Sequence, residues 1–281
     1  MPDHHPPHIN VDDMWYFLTA STHNRSRLLV GDNAKQGVRD TIRELDPLFD
    51  FELRAWVVLD NHYHLLIQTP DGNLSKGMRQ LNGVTTQTSN RRHHRVGHLF
   101  QGRFKAILVD HNAYLLELSR YIVLNPVRAG MVKTPGDWPW SSYRASAGLA
   151  PVAPWLTVDG VLSQFVKRRS LAQQRYAQFV SEGIRADSPW QNLKGQVFLG
   201  DDRFVQQMQA KIESRQRNDV QIPAAQRRPR ALSLPIIERS APDRNAAIMT
   251  AYATGAYSYQ EISTHFGIHF TTVGRIVRRG E

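Results

Sequence analysis

The chain has no cysteine among its 281 residues. This absence excludes disulfides and thiolate metal sites, so a metal ion would need histidine, carboxylate or amide ligands. The longest apolar runs, such as residues 55–59, are far too short to span a bilayer. The first ten residues are rich in His and Pro and lack the apolar segment of a signal peptide. We therefore expect a cytoplasmic protein with no membrane partner.

Acidic residues are also scarce, with 25 Asp and Glu against 35 Lys and Arg and a net charge of +10. Residues 72–109 contain no acidic residue. Phe100 and Phe104 alternate with the cations of this stretch and can stack on bases, although Phe104 fits a core position better. Such a stretch is typical of a surface that follows phosphates, but a solvated basic face would look the same. The predicted DNA-binding surface comprises Arg25, Lys76, Arg79, Arg91, Arg92, Arg95, Gln101, Arg103 and Lys105.

Apolar patterning predicts an α+β fold. Strands are expected at 15–19, 51–59, 62–69 and 103–109, and helices at 32–45, 74–90 and 112–124. Pro47 should end the first helix, and Pro126 should follow the last. The order β-α-β-β-α-β is that of the split βαβ, ferredoxin-like fold. It predicts a small antiparallel sheet with helices on one face and the other face open to a substrate.

Composition divides the chain into five segments. A disordered tail (1–10) precedes the α+β domain (11–150), a helical extension (151–213) and a linker (214–241) rich in Arg and Pro. Residues 242–281 are predicted to form a helix-turn-helix module, with Ser258 and Glu261 as a capping box and Gly267 in the turn. Its DNA-contacting residues would be Thr271, Thr272, Arg275 and Arg278. The alternative is a helical bundle that serves dimerisation.

Two histidines form the first candidate site. His62 and His64 lie at i and i+2 of a predicted strand, so their side chains share one face and can bind one cation. The residues between and after them, such as Tyr63, should face the helices. Two solvated polar residues would give the same pattern, and a chain with 12 His contains chance pairs such as His93-His94.

A tyrosine and an amide form the second candidate site. Tyr121 and Asn125 are four residues apart on a predicted helix and therefore share a face. The alternative is that Tyr121 packs in the core and Asn125 caps the helix before Pro126. Tyr63 and Tyr114 are rival candidates for a reactive tyrosine.

Three segments together resemble a known family. AWVVLDNHYHLLIQTP is similar to the metal-binding strand of the HUH nucleases, whose signature is His, a bulky apolar residue, then His; Tyr63 is a less typical central residue. HLFQGRFKAILVDHNAYLLELSRYIVLNPVRAGMV and DWPWSSY resemble the single-tyrosine transposases, and among these the REP-associated tyrosine transposases. The resemblance covers roughly residues 12–148, and it identifies 11–150 as a catalytic domain with a ferredoxin-like palm.

The resemblance implies a function and a role for each candidate residue. His62, His64 and Asn125 would hold a divalent metal ion, Mg²⁺ or Mn²⁺, and Tyr121 would be the nucleophile that forms a 5′-phosphotyrosine. The substrate would be single-stranded DNA in hairpin-forming repeats, which implies a nucleoid-associated protein. The alternatives are a non-cleaving DNA-binding regulator of repeats, or another HUH endonuclease such as a replication initiator or relaxase. The sequence leaves monomer or homodimer open.

Overall fold

The computed structural model describes residues 10–102, 104–219, 233–253, 257 and 259–279. Residues 1–9 of the predicted tail, Arg103 and Ser258 lie outside the described residues, as does the side chain of Arg278. The same holds for residues 220–232, which form the centre of the predicted linker.

The centre of the fold is a mainly antiparallel sheet. Its first four strands are β1 (Met14–Ser21), β2 (Glu52–Val58), β3 (His62–Thr69) and β4 (Lys105–Val109). β3 lies between β2 and β1, and β4 pairs with the other edge of β1, all antiparallel. This is the strand order of a split βαβ unit. The predicted α+β class and antiparallel sheet are confirmed.

Two short strands, β5 (Leu193–Lys194) and β6 (Phe198–Leu199), extend the sheet beyond β4. The expectation that residues 151–213 are entirely helical is therefore wrong at this point. β6 runs parallel to β4, and Leu108 N donates to Val197 O at 2.7 Å. These strands form because an uncovered β4 would leave its edge N–H and C=O groups unpaired.

Two helices cover the sheet face to which Tyr63 points. α1 (Asp32–Arg43) and α3 (Leu74–His93) pack together there through apolar stripes that include Val38 and Met78. The expectation that Pro47 ends the helical region is wrong, because a short helix, α2 (Leu45–Phe49), contains it. A proline is tolerated in the first turn of a helix, where its missing N–H would have no partner.

The opposite face is covered by α4 (His111–Arg128), which packs against β2 and β3. The expectation that this face is open is therefore wrong. Pro126 lies inside α4 and not beyond it, since the helix continues to Arg128. The last turn is held by Ala129 N, which donates to Asn125 O at 2.9 Å, and by the Arg128 guanidinium, which donates to Gly183 O at 3.1 Å.

The segment after α4 closes the outer edge of β2. Val58 N donates to Trp140 O at 2.9 Å, and Thr157 N donates to Leu53 O at 2.8 Å. These bonds protect an edge strand that would otherwise offer unpaired backbone groups. The remaining helices of this part of the chain are α5 (Tyr143–Ser146), α6 (Asp159–Leu162), α7 (Arg169–Glu182) and α8 (Asp202–Asp219).

Residues 216–281 form a separate compact unit. Its helices are α9 (Leu234–Ser240), α10 (Arg244–Ala253), α11 (Tyr259–Phe266) and α12 (Phe270–Arg279). They enclose a small core that includes Ile237, Ile248, Ile262 and Val273. The predicted linker is wrong at both ends, because α8 continues to Asp219 and α9 is helical where Ile237 joins this core. Within the described residues, no helix is long and apolar enough to cross a membrane.

Two glycines of α3 give a direct test of its packing. A Cβ at Gly77 would overlap the buried ring of Phe51, whereas a Cβ at Gly83 would meet nothing within 4 Å among the described residues. We expect Gly77→Ala to destabilise the domain by about 1–3 kcal/mol through overpacking. Gly83→Ala should stabilise it by about 0.5–1 kcal/mol, because alanine favours the helix.

Urea unfolding followed by tryptophan fluorescence measures both effects, since all six Trp lie before residue 191 and report this unit. Equal midpoints for Gly77→Ala and Gly83→Ala would contradict the described packing of α3 on Phe51.

Candidate active site

His62 and His64 lie on one face of β3, and their ring centroids are 4.8 Å apart with an interplanar angle of 76°. Tyr63 between them points to the other face, where its hydroxyl donates to Asn82 Oδ1 at 2.7 Å. This alternation follows from the regular pleat of β3, which pairs without interruption with β1 along its whole length. The two imidazoles are therefore held side by side.

Each imidazole is fixed by a neighbour through Nδ1. His62 Nδ1 lies 2.6 Å from Asn61 Oδ1, and His64 Nδ1 lies 2.8 Å from Thr19 Oγ1 on β1. Histidines that bind metals are commonly held in this way at one nitrogen while the other faces the ion. Asn61 and Thr19 were not identified from the sequence.

Burial keeps both imidazoles neutral. Burial, together with the nearby charge of Arg25, lowers the pKa of His62 to about 4. Burial, together with the proximity of His62, lowers the pKa of His64 to about 3. Hydrogen bonds of His64 to the Leu18 backbone and to Asn125 act in the opposite direction. Neutral imidazole is the form that binds a metal ion, so both side chains are competent ligands at neutral pH.

α4 places Tyr121 and Asn125 beside these histidines. The Tyr121 and His64 ring centroids are 6.1 Å apart, and the Asn125 side chain hydrogen-bonds His64. Asn125 Nδ2 also donates to Tyr121 O at 2.9 Å, which fixes its amide. The rival Tyr63 is buried on the opposite face of the sheet, and burial raises its pKa. The other rival, Tyr114, lies about two turns nearer the start of α4.

Three further residues hold the Tyr121 ring. Trp190 contacts it edge-to-face with centroids 5.1 Å apart, and Phe17 on β1 does so at 5.9 Å. The Arg128 guanidinium lies 5.4 Å from the ring centroid. Trp190 belongs to a short 3-10 helix (Pro189–Asn192) far along the chain. Sequence reasoning missed it, and its only signal is an aromatic residue in a polar segment.

The donor set is suited to a divalent cation. With ring centroids 4.8 Å apart on one face of β3, the two imidazoles would both be able to hold one ion. Within the described residues, no cluster of three His, Asp or Glu side chains could hold a metal. The Asn125 amide, which hydrogen-bonds His64, is the candidate for a third protein ligand. Two imidazoles make Mn²⁺ at least as suitable as Mg²⁺, which prefers oxygen ligands.

The predicted DNA-binding residues are mostly exposed. Thr272 is half-buried, and the Arg92 guanidinium donates to Asn33 O at 2.7 Å. Phe100 is buried and contacts Tyr63 edge-to-face, so the expectation that it stacks on bases is wrong. The exposed residues are Arg25, Lys76, Arg79, Arg91, Arg92, Arg95, Gln101, Lys105, Thr271 and Arg275.

The low pKa of His64 predicts a stability that depends on pH. An unfolded histidine binds a proton near pH 6.5, whereas His64 in the folded chain does so only near pH 3. The free energy of unfolding therefore decreases as the pH falls below 6.5. The contribution of His64 to this decrease is roughly 2 kcal/mol at pH 5. We expect His64→Gln to reduce the stability difference between pH 7 and pH 5 by about that amount.

Urea unfolding at the two pH values, followed by tryptophan fluorescence, measures this difference. His94→Gln, at an exposed histidine, is the matched control. If His64→Gln and the wild type lose equal stability on acidification, burial does not hold His64 neutral.

Comparison with known proteins shows what part of this chain is similar to. Residues 10–125 match the family described as Transposase IS200 like. A REP-associated tyrosine transposase from Escherichia coli (strain K12) is 29% identical over 142 residues, which cover 49% of this chain and 82% of that protein. A Haemophilus influenzae protein with the same family designation is 28% identical over 145 residues, which cover 46% of this chain and 78% of that protein.

Among solved structures, a REP-associated tyrosine transposase bound to a REP hairpin is 27% identical, with a TM-score of 0.45. The match covers 53% of this chain and 88% of the chain in that structure. The family match over residues 10–125 includes His62, His64, Tyr121 and Asn125. Over these residues the chain is similar to the IS200-like transposases, and the two relatives described above are named as REP-associated tyrosine transposases.

Proposed function

We propose that this protein cuts and rejoins single-stranded DNA in hairpin-forming repeats, with Tyr121 as the nucleophile. The observation that carries the proposal is the meeting of β3 and α4, which sets a tyrosine and an amide beside two neutral imidazoles on the same face. The similarity of residues 10–125 to the IS200-like transposases and the names of the relatives support a DNA substrate.

The proposed reaction exchanges one phosphodiester for another. The Tyr121 oxygen attacks the scissile phosphorus, and the bond from phosphorus to the 3′ oxygen of the preceding nucleotide breaks. The tyrosine hydroxyl loses its proton and the departing 3′ oxygen gains one, which leaves a 5′-phosphotyrosine and a 3′-hydroxyl. Because the ester bond is conserved, attack by another 3′-hydroxyl rejoins the DNA without ATP.

His62, His64 and Asn125 are the residues that would hold a divalent cation, Mg²⁺ or Mn²⁺. When bound, the ion supplies a positive charge that polarises the scissile phosphate and stabilises its developing charge. The packing of Trp190 and Phe17 against Tyr121 restricts its ring to one position. This restriction lowers the entropic cost of aligning the hydroxyl with the phosphate.

The reaction is tested by incubating the full chain with a labelled single-stranded hairpin oligonucleotide and Mn²⁺ or Mg²⁺. Denaturing electrophoresis should reveal a metal-dependent adduct that a protease removes, and a second strand with a free 3′-hydroxyl should be joined to the labelled one. Tight hairpin binding with no adduct in either metal would instead favour a non-cleaving regulator. Cleavage without strand joining would favour another HUH endonuclease.

We also propose that α11 and α12 act as a helix-turn-helix with α12 as the DNA-contacting helix. Val273 and Val277 anchor α12 in the core of this unit, while Thr271 and Arg275 are exposed. Gly267 has a φ of +61°, a left-handed conformation that suits the turn before α12. This unit would add affinity or choose sites, since the candidate catalytic residues all precede residue 126.

Replacing Arg275 with alanine should weaken DNA binding about 3- to 10-fold at low salt. It should also reduce the slope of log affinity against log salt by about 1, because one phosphate contact is lost. Fluorescence anisotropy across salt concentrations measures both quantities. Arg239→Ala, at an exposed position of α9, is the control. Identical salt slopes for the two variants would argue for a bundle without DNA contacts.

A further inference from the structure

A second concave surface lies on the face of the sheet opposite the candidate active site. It is a cleft of about 640 Å³ between α3 and a wall formed by residues of 97–102 and Phe104. We call it the α3 cleft. Its α3 wall includes Arg79, Asn82, Gly83 and Gln87, and its other wall includes His98 and Phe104.

The chemistry of the α3 cleft differs from that of an ordinary surface groove. Its α3 residues recur every three or four positions along one side of the helix, and the buried Met78 lies at the floor among them. Apart from Met78, the α3 lining consists of three amides, two hydroxyls, a glycine and an arginine. No Asp or Glu occurs anywhere from residue 72 to residue 109, so neither wall contributes a carboxylate. An anionic polymer can therefore approach without charge repulsion.

Two amides in the cleft have a fixed orientation. The Tyr63 hydroxyl donates to Asn82 Oδ1 at 2.7 Å, which turns Asn82 Nδ2 away from Tyr63 as a donor. Asn90 Nδ2 donates to Gly97 O at 2.8 Å, which leaves Asn90 Oδ1 as an acceptor. These residues are eight positions apart, or about 12 Å along the helix. Fixed donors and acceptors of this kind discriminate between base edges.

The middle of the cleft is open because Gly83 has no side chain. A Cβ at Gly83 would meet nothing within 4 Å among the described residues. The aromatic ring of Phe104 on the opposite wall is half-buried. An open space between an amide stripe and an aromatic ring is suited to a planar ligand.

We propose that the α3 cleft binds unpaired bases of the DNA strand and that Asn82 is a residue that reads their identity. A duplex shows its base edges only inside grooves that a protruding helix must enter, whereas a concave cleft accepts an unstacked base. The inference rests on the proposed function for its ligand class. Because the cleft and the candidate active site lie on opposite faces of β3, the bases read in the cleft are not those at the cleavage point.

The first test blocks the cleft without disturbing the core. Gly83→Leu places a side chain into the open space, and Gly37→Leu does the same on α1, where a Cβ also meets nothing within 4 Å. The probes are four fluorescein-labelled homopolymers, of deoxyadenosine, deoxycytidine, deoxyguanosine and thymidine, bound to the full chain. We expect wild type to prefer one of them and Gly83→Leu to bind it about tenfold more weakly. Gly37→Leu should bind within about twofold of wild type.

The second test removes base reading while keeping the contact to Tyr63. Asn82→Asp retains an oxygen that accepts from the Tyr63 hydroxyl but has no N–H donor. The added negative charge of the Asn82→Asp variant weakens binding to all four probes at low salt. High salt screens this repulsion, so the electrostatic loss of affinity becomes small there. We expect the preference among homopolymers to be lost at high salt as well.

Equal binding of all four probes by wild type, or unchanged binding by Gly83→Leu, would overturn the proposal. Retention of the wild-type preference by Asn82→Asp at high salt would overturn the role of Asn82. Measuring adduct formation distinguishes a failure of the cleft proposal from a failure of the proposed cleavage reaction. A wild type that forms adducts while Gly83→Leu binds normally refutes the cleft alone. A wild type that forms none, with Gly83→Leu impaired, refutes cleavage and supports the cleft.

Discussion

Tyr121→Phe should eliminate the covalent adduct with hairpin DNA, to less than about one thousandth of the wild-type rate. The hydroxyl oxygen is the atom that would form the bond to phosphorus, and no other group can replace it in that position. The ring itself keeps its contacts with Trp190 and Phe17, so hairpin binding should remain within a few-fold of wild type. Adducts are quantified by denaturing electrophoresis and binding by anisotropy.

The matched control is Tyr114→Phe, a half-buried tyrosine on the same helix. It should form adducts at a rate close to that of wild type, because Tyr114 lies about two turns of α4 away from Tyr121. If the adduct persists in Tyr121→Phe and disappears in Tyr114→Phe, the nucleophile is Tyr114. If both variants lose the adduct but melt at the wild-type temperature, adduct formation requires the packing of both tyrosines on α4.

The strand that carries the two histidines could be predicted from the sequence. The run from His62 to Thr69 begins after a turn at Asp60-Asn61 and ends before Pro70. As expected, β3 spans His62–Thr69. A regular strand alternates its side chains, so the shared face of the imidazoles followed from their spacing alone. The structure adds the reason that this hairpin is rigid: Asp60 Oδ1 accepts from the buried Lys35 ammonium of α1 at 2.7 Å.

The position of α4 could not be predicted in the same way. Its apolar stripe, which includes Leu115, Leu118 and Ile122, indicates a helix that packs on something, but periodicity does not specify which face of the sheet. A ferredoxin-like order leaves one face uncovered, and α4 lies on that face. Because it does so, Tyr121 and Asn125 reach the histidines.

The contacts that residues beyond 125 make with the candidate site could not be predicted from the sequence either. Trp190 contacts Tyr121 across about 70 positions of sequence, and such a contact leaves no local pattern. The strands β5 and β6 have two residues each, too few for any alternation to be detected. The pairing of β6 with β4 depends on an edge that exists only after the sheet has formed.

Metal binding should depend on the two histidines of β3. We expect His62→Ala and His64→Ala each to weaken Mn²⁺ binding by about 100-fold or more, since each removes one of two imidazole ligands. Asn125→Ala should weaken it about tenfold, because an amide oxygen is a weaker ligand and water can replace it. Thr19→Val should cost about 10- to 100-fold, since it removes the hydroxyl that holds His64 Nδ1.

Titration calorimetry of the metal alone into the full chain measures each affinity. The control is His93→Ala with His94→Ala, an adjacent pair at the exposed end of α3 that should bind Mn²⁺ as tightly as wild type. Wild-type affinity in His64→Ala, or a loss of binding in the His93 and His94 variant, would place the cation elsewhere. A normal affinity in Asn125→Ala alone would leave the two imidazoles as ligands and assign the third position to solvent or to the DNA phosphate.

Adduct formation by the Thr19→Val variant then distinguishes a misplaced His64 from a defect in folding. If Thr19 acts through the position of His64, excess Mn²⁺ should restore the adduct, whereas a defect in folding would not respond to the metal.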